Sequence, residues 1–219
     1  MRASRPAPTP SEKKPSDAGH PLAMRCPLAV MLFVALTVAG LAADLASKHY
    51  VFESFLGDPA LPRRVAGIQQ AVQDWQSPRE VLQQLHLSRQ VLPGVRFTIT
   101  TNPGVVFGLP MPRWAVLATT AVTLALVTFF FATSPPGAHF IHVAMACILS
   151  GAVGNLHDRL YSEVALPGLE PIRCQVRDFI DCSQLHYNSV FNVADILLVI
   201  GAAIIVIHWL TGVVKSPSR

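Results

Sequence analysis

Long apolar runs alternate with polar stretches along this chain, and four of the runs are long enough to cross a lipid bilayer. A helix needs about 20 predominantly apolar residues to span the hydrocarbon core. The pattern therefore predicts membrane-spanning helices at 27–43, 114–133, 138–157 and 190–214. The first run is the shortest of the four, and a helix continuing past it to Lys48 requires a protein or interfacial environment for Asp44 and Lys48.

The short polar stretch Ser134-Pro135-Pro136-Gly137 is too brief to hold a domain, so the second and third spans are predicted to form an antiparallel hairpin. A much longer stretch, 49–112, joins the first two spans. We expect this stretch to form an extracytoplasmic cap that is rich in β-structure and carries short amphipathic helices.

The cap contains two helical stripes and one strand pattern. Ser77-Pro78-Arg79-Glu80 is a capping box, and the apolar residues Val81, Leu82 and Leu85 follow it on one face. The stripe Val65, Ile68, Val72 and Trp75 predicts a second short helix that packs on the cap or lies in the lipid interface. Alternating apolar residues at 95, 97 and 99 predict a half-exposed strand that ends at the turn Asn102-Pro103-Gly104.

Composition supports a membrane protein. The mean hydropathy is +0.42, 51% of the residues are hydrophobic and 14% are charged, values too apolar for an ordinary soluble chain of 219 residues. The spans and the cap are expected to form a single domain over 27–214. Residues 1–26, rich in Pro and Ser, are predicted to be a disordered cytoplasmic tail, and residues 215–219 a second cytoplasmic tail.

Lys and Arg residues before the first span predict a cytoplasmic N-terminus, and four spans then return the C-terminus to the cytoplasm. A cleaved signal peptide is the alternative for the first run. The net charge of +4, without a basic stripe that carries interleaved aromatic residues, gives no expectation of nucleic-acid binding.

Two Asn-x-x-Asp pairs, Asn155 with Asp158 and Asn192 with Asp195, lie in or beside apolar runs. Carboxylates at membrane depth are costly, so they mark sites of chemistry or ion movement. Two carboxyl groups that share a proton can hydrolyse a peptide without a metal. A proton- or ion-coupled transporter is the alternative that intramembrane carboxylates leave open, and a scaffold that uses buried Asp for helix association is another.

Five blocks occur in order along the chain: Asp44-Leu45-Ala46-Ser47-Lys48, Asn102-Pro103-Gly104-Val105-Val106-Phe107-Gly108, Gly151-Ala152-Val153-Gly154-Asn155-Leu156-His157-Asp158-Arg159, Val176-Arg177-Asp178-Phe179-Ile180 and Phe191-Asn192-Val193-Ala194-Asp195. This series resembles the lipoprotein signal peptidase family, bacterial signal peptidase II, over residues 27–212. The stretch 57–92 contains none of these blocks and is longer than is typical of that family.

The resemblance implies a bacterial inner-membrane aspartyl endopeptidase with its active site near the periplasmic face. It would remove the signal peptide from diacylglyceryl-modified prolipoproteins by cleaving on the N-terminal side of the lipidated cysteine. Its partners would be these substrates and the membrane lipid around them. The resemblance places the catalytic pair on Asp158 and Asp195 and requires no metal or cofactor. It implies substrate-binding or supporting roles for Asp44, Lys48, Asn102, Gly104, Asn155, Arg159, Asp178 and Asn192. We expect the protein to act as a monomer.

Several of these residues have simpler explanations. Asp44 and Lys48 are four apart on a helix, so an ion pair at the membrane surface explains them as well as substrate contact does. Arg159 either binds substrate or extends to lipid headgroups. Cys174 and Cys182 have the spacing of a periplasmic disulfide or remain free, a question that the sequence leaves open.

Overall fold

Six helices carry most of the chain in the computed structural model, which describes residues 22–71, 76–106 and 109–214. In those ranges the α-helices are α1 Pro27–Leu56, α2 Leu61–Ala71, α3 Pro78–Gln84, α4 Arg113–Thr133, α5 His139–Tyr161 and α6 Val193–Val214. The strands are β1 Ser88–Leu92, β2 Val95–Asn102, β3 Val105–Val106, β4 Leu109–Pro110, β5 Glu163–Val164, β6 Ile172–Arg173, β7 Val176–Asp181 and β8 Val190–Phe191.

Four of the described helices, α1, α4, α5 and α6, are long and apolar enough to cross a membrane, which confirms the predicted number of spans. Helix α1 extends well beyond the predicted span 27–43, because it runs for 30 residues to Leu56. Its charged residues Asp44 and Lys48 are both fully buried and paired with each other, so they do not interrupt the helix.

Helix α5 lies at the centre of the bundle and contacts α1, α4 and α6. Small residues allow these helices to approach closely, as is usual for helices packed in lipid. Gly151 faces the backbone carbonyl of Ala194 on α6, and Gly201 of α6 faces the carbonyl of Ala144 on α5. The close approach of α5 to α6 brings the two Asn-x-x-Asp pairs to the same end of the bundle.

The cap is built around a four-stranded antiparallel sheet with strand order β1-β2-β7-β8. Strand β2 covers the predicted strand and ends at Asn102. Its register with β7 pairs Thr100 with Asp178 and Thr101 with Arg177. Because β8 is followed directly by α6, the sheet lies over the ends of the spans where the polar residues are concentrated.

The described part of the enlarged stretch 57–92 packs into the cap. The capping box is present, with Ser77 N–H donating to Glu80 Oε2 at 2.7 Å and Glu80 N–H donating to Ser77 Oγ at 3.3 Å. The stretch contributes six residues to the apolar core under the sheet: Leu61, Val65, Val81, Leu82, Leu85 and Leu87. Val72 and Trp75 of the predicted second stripe lie outside the described residues. The described part of this stretch is therefore an internal part of the cap.

The predicted N-terminal tail is partly ordered. Residues 1–21 and the C-terminal tail 215–219 lie outside the described residues. Ala23–Arg25 forms a 3-10 turn that packs on α1 and α4, contrary to the disorder expected up to residue 26. Ala23 is fully buried and its N–H donates to the carbonyl of Ser134 at 2.8 Å.

Candidate active site

Lys48 lies at the centre of a buried polar cluster between α1 and α5. Its ammonium nitrogen lies 2.7 Å from Asp44 Oδ2, 3.1 Å from Asn155 Oδ1 and 3.2 Å from Asp158 Oδ2. The side chains of Lys48, Asp44 and Asp158 are all fully buried. The ion pair expected between Asp44 and Lys48 is therefore present, and it is fully buried inside the protein.

Asp44 also joins α1 to the start of α6. Its Oδ1 accepts a hydrogen bond from the backbone N–H of Ala194 at 2.8 Å. The first N–H groups of a helix have no partner within the helix and attract negative charge, so a carboxylate at this position stabilises the helix end. Asp44 thus holds α6 in place, and the structure leaves both of its oxygens in protein contacts.

Gly154 makes room for this arrangement, and substituting it provides a test. A Cβ atom at Gly154 would overlap Asp44 Oδ2 and lie 3.1 Å from its Cγ. Because Asp44 is held by Lys48 and Ala194, we expect Gly154→Ala to lower the free energy of unfolding by about 1–3 kcal/mol, as overpacking does. Thermal unfolding in detergent measures the loss. Gly137→Ala is the matched control, since a Cβ there meets nothing within 4 Å. Equal melting temperatures for the two variants would contradict the expectation.

Asp158 is held by two cations. The guanidinium of Arg177 donates to its Oδ1 through Nε at 3.1 Å and Nη2 at 2.7 Å, and the Arg177 backbone N–H donates to its Oδ2 at 3.0 Å. Lys48 contacts the same Oδ2. Both oxygens of Asp158 are therefore engaged in charged or backbone contacts. The sequence pattern does not single out Arg177, because the direction of its side chain depends on how β7 lies over α5.

The second Asn-x-x-Asp pair begins α6. The backbone N–H of Asn192 donates to Asp195 Oδ2 at 3.1 Å, while the backbone N–H of Asp195 donates to Asn192 Oδ1 at 3.0 Å. This reciprocal pair is a capping box. Asn192 consequently lies just before α6 and not within it. This Asn-x-x-Asp pair therefore marks the start of a helix as well as a candidate site.

Asn155 connects the two halves of the cluster. Its Nδ2 donates to Asp195 Oδ1 at 2.8 Å, while its Oδ1 accepts from Lys48 at 3.1 Å and from Asn192 Nδ2 at 3.1 Å. The neutral amide thus acts as donor on one side and acceptor on the other. This arrangement fixes the orientation of the Asp195 carboxyl without adding charge.

Asp178 contacts the same asparagine that caps α6. Its Oδ1 accepts from Asn192 Nδ2 at 2.6 Å, and the residue is only 4% exposed. Burial, followed by the negative charge of Asp195, raises the pKa of Asp178 to about 7. Asp178 is therefore a carboxyl group that holds a proton near neutral pH close to the second carboxyl group of Asp195.

The remaining predicted residues lie at the edge of this cluster. Arg159 is half-buried, its charge faces Asp178 and Asp195, and its Nε has no hydrogen-bond partner among the described residues. Asn102 begins the turn after β2, where its Oδ1 accepts from the N–H of Gly104 at 3.0 Å. Gly104 has φ +123°, a conformation that side chains disfavour, and this explains the glycine.

Cys174 and Cys182 are both free, so the possible disulfide is not formed in this structure. Cys174 Sγ lies 3.6 Å from the carbonyl of Leu160. Within the described ranges, no group of three or more His, Cys, Asp or Glu side chains has an arrangement that suits a metal ion.

Fold and site together define a four-helix membrane protein with buried carboxyl and amide groups beneath a small antiparallel sheet. Residues 36–211 match the family model described as signal peptidase (SPase) II, and the chain belongs to this family.

Relatives agree with the assignment, and a solved structure shares the fold. The chain is 33% identical over 129 residues to a lipoprotein signal peptidase of Alteromonas mediterranea, a match covering 56% of this chain and 65% of that protein. A lipoprotein signal peptidase of Aquifex aeolicus is 34% identical over 129 residues, covering 55% and 68%. A bacterial membrane enzyme solved by the in meso method at 2.3 Å has the same fold, with a TM-score of 0.60 at 21% identity, covering 87% of this chain and 94% of that one.

Proposed function

We propose that this protein is a membrane aspartyl endopeptidase that removes signal peptides from diacylglyceryl-modified prolipoproteins, cleaving on the N-terminal side of the lipidated cysteine. The family and the names of the relatives support lipoprotein signal peptides as the substrate class. The observation that supports the aspartyl chemistry is the contact of two carboxyl groups, Asp178 and Asp195, with one asparagine, Asn192. The alternative of an ion-coupled transporter has no support from these relatives.

The proposed catalytic pair is Asp178 with Asp195, in place of the expected pair of Asp158 with Asp195. Both oxygens of Asp158 are occupied by Arg177 and Lys48, and the side chain is fully buried. A carboxylate compensated by two cations is poorly suited to exchange protons with a substrate. Asp178, in contrast, has a pKa raised to about 7 by burial and by the charge of Asp195. We therefore assign Asp158 a supporting role.

The two carboxyl groups would divide the proton transfers. Asp195, as a carboxylate, takes a proton from water while the oxygen of that water attacks the scissile carbonyl carbon. Asp178 gives its proton to the carbonyl oxygen, which forms a neutral tetrahedral intermediate. When the C–N bond breaks, Asp195 returns its proton to the leaving amine and Asp178 recovers one from the hydroxyl group. Each aspartate ends in its starting state.

The surrounding residues would bind the substrate and keep the pair in place. Asn155 and Asn192 orient Asp195 and Asp178 through the hydrogen bonds described above. The guanidinium of Arg159, with its free Nε, is suited to carbonyl oxygens of the peptide or of the lipid esters. Asn102 and Gly104 would contribute the turn that borders the substrate. We propose that the protein acts as a monomer in the bacterial inner membrane, with cytoplasmic termini and its site near the periplasmic face.

The experiment that tests the function is incubation of the purified protein with a diacylglyceryl-modified prolipoprotein. We expect cleavage directly before the lipidated cysteine, identified by mass spectrometry. The same precursor without the lipid is the matched substrate control and should be cleaved much more slowly, because the anchor holds the cleavage site at the membrane. Efficient cleavage of the unlipidated precursor, or no cleavage of either, would refute the proposal.

Chelators should leave the rate unchanged, because carboxyl groups alone activate the water in this mechanism. The measurement compares the cleavage rate before and after treatment with EDTA, with a zinc peptidase treated in parallel as the positive control for chelation. Loss of activity in EDTA that one divalent ion restores would contradict the two-aspartate mechanism.

A further inference from the structure

Arg177 joins three parts of the molecule at the base of β7. Its guanidinium forms two hydrogen bonds to Asp158 of α5 and lies 5.9 Å from the centre of the Phe52 ring of α1. Its backbone N–H donates to the second oxygen of Asp158. The side chain is only 15% exposed. Bidentate geometry of this kind fixes orientation as well as distance.

The residue that follows Arg177 in the chain is Asp178, so contacts that fix Arg177 also fix the strand that carries the proposed proton donor. The carbonyl of Arg177 lies 3.4 Å from Asn192 Nδ2, which also donates to Asp178. Any shift of Arg177 relative to α5 would therefore move Asp178 relative to Asp195.

The charges of the cluster balance only when Arg177 is present. Asp44 and Asp158 carry two negative charges, and Lys48 and Arg177 carry two positive charges; Lys48 contacts both carboxylates and Arg177 contacts Asp158. Without Arg177 this group would carry one net negative charge beside Asp178. The other charged groups that act on Asp178 are Asp195 on α6, Arg159 on α5 and Lys48 on α1. The titratable imidazole of His157 on α5 also lies near the cluster, with its Nδ1 3.7 Å from Asp158 Oδ1.

We propose that Arg177 is a positioning residue of the reaction: it compensates Asp158 and anchors β7, and thereby determines which carboxyl group holds the proton beside Asp195. This inference rests on the proposed function. Since the charge of Asp158 acts to raise the pKa of Asp178, loss of its compensation should raise that pKa further. The effect of Arg177 thus reaches Asp178 through Asp158.

The test measures the cleavage rate against pH for purified variants with the lipidated precursor. The wild-type rate should fall as pH rises through about 7, where Asp178 loses its proton. In Arg177→Met we expect a lower kcat. We also expect the alkaline limb of the pH–rate profile, where the rate falls with rising pH, to be displaced upwards by about 0.5–1 pH unit. Arg177→Lys keeps the charge without the bidentate contact, so it should restore the limb while kcat remains reduced.

The double variant Asp158→Asn with Arg177→Met removes both charges and should return the limb to its wild-type position. It also keeps the test possible if Arg177→Met fails to fold, because removing both partners of a buried pair is milder than removing one. Arg173→Met is the matched control, since Arg173 pairs with Glu163 at the surface and should change neither rate nor limb.

An unshifted limb in folded Arg177→Met, or a shift that the double variant retains, would overturn the role of Arg177 while leaving the proposed function intact. Absence of cleavage by the wild type would instead refute the proposed function, whereas full activity of Asp178→Asn would refute the assignment of the proton donor and with it the role of Arg177. The two failures are therefore distinguishable.

Discussion

Asp178→Asn is expected to lower the rate of prolipoprotein cleavage by about 10²–10⁴-fold, which is the usual contribution of a positioned proton donor. The amide has nearly the shape of the carboxyl group, so Asn192 remains close and the fold is retained. Asp195→Asn should lose a similar amount, and the double variant should be no worse than either single variant, because the two groups act as a unit. The measurement is the single-turnover cleavage rate of detergent-purified protein.

Asp178→Asn should also stabilise the protein above neutral pH. Asp178 has an ordinary pKa of 3.8 in an unfolded chain and a pKa of about 7 in the folded protein, so the folded state binds more protons between these values. Its contribution to stability is complete below pH 3.8 and is lost as pH rises through 7. Because Asn does not ionise, Asp178→Asn should melt at a higher temperature than wild type at pH 8, with the difference decreasing towards pH 5.

Asp158→Asn is the control that distinguishes the two possible catalytic pairs. Compared with Asp178→Asn, it should lose more stability and less activity. Removing one partner of a buried ion pair costs about 3–5 kcal/mol, so this variant should melt at a lower temperature. Its folded fraction should keep at least tenfold more activity than Asp178→Asn. If Asp158→Asn is inactive while well folded, and Asp178→Asn remains active, the catalytic pair is Asp158 with Asp195, as the sequence resemblance implies.

The sequence predicted the membrane fold well because span length and hydropathy depend on local composition. It predicted the end of α1 badly for the same reason. A window over residues 44–48 records two charges, whereas the structure pairs Asp44 with Lys48 and buries both. Oppositely charged side chains that pair in a fold are often distant in sequence, as Asp158 is from Lys48. A hydropathy value contains no information about such pairing.

The site was predictable as a set of residues but not as a set of partners. Asn155, Asn192 and the aspartates all belong to the polar cluster, as the motifs indicate. The register of β7 and the direction of the Arg177 side chain determine which carboxyl group has its charge compensated by a cation. Neither of them follows from the spacing of residues along the sequence. The two Asn-x-x-Asp pairs look alike in sequence, yet Asn192 and Asp195 form a capping box at a helix start, while Asn155 and Asp158 lie inside α5.

The stretch 57–92 contains none of the family motifs, and this alone predicts that it is dispensable for the chemistry. The structure leads to a different expectation. Six of its apolar side chains are buried in the cap core, where they pack with residues such as Phe52 of α1 and Phe179 of β7. Phe179 directly follows Asp178, so the core formed by this stretch supports the strand that carries the proposed proton donor.

Replacing 57–92 with a short flexible linker should therefore destabilise the cap and abolish cleavage, even of a small lipidated peptide. Leu82→Ala tests the same idea with one side chain, since truncation of a buried leucine costs about 2–5 kcal/mol. Gln83→Ala, at an exposed neighbouring position, should melt like wild type. Asn102→Ala, which loses the turn contact to Gly104, should impair cleavage with little change in melting temperature. A linker variant that folds and cleaves the lipidated peptide at the wild-type rate would show that the motif-bearing residues form the site without the support of this core.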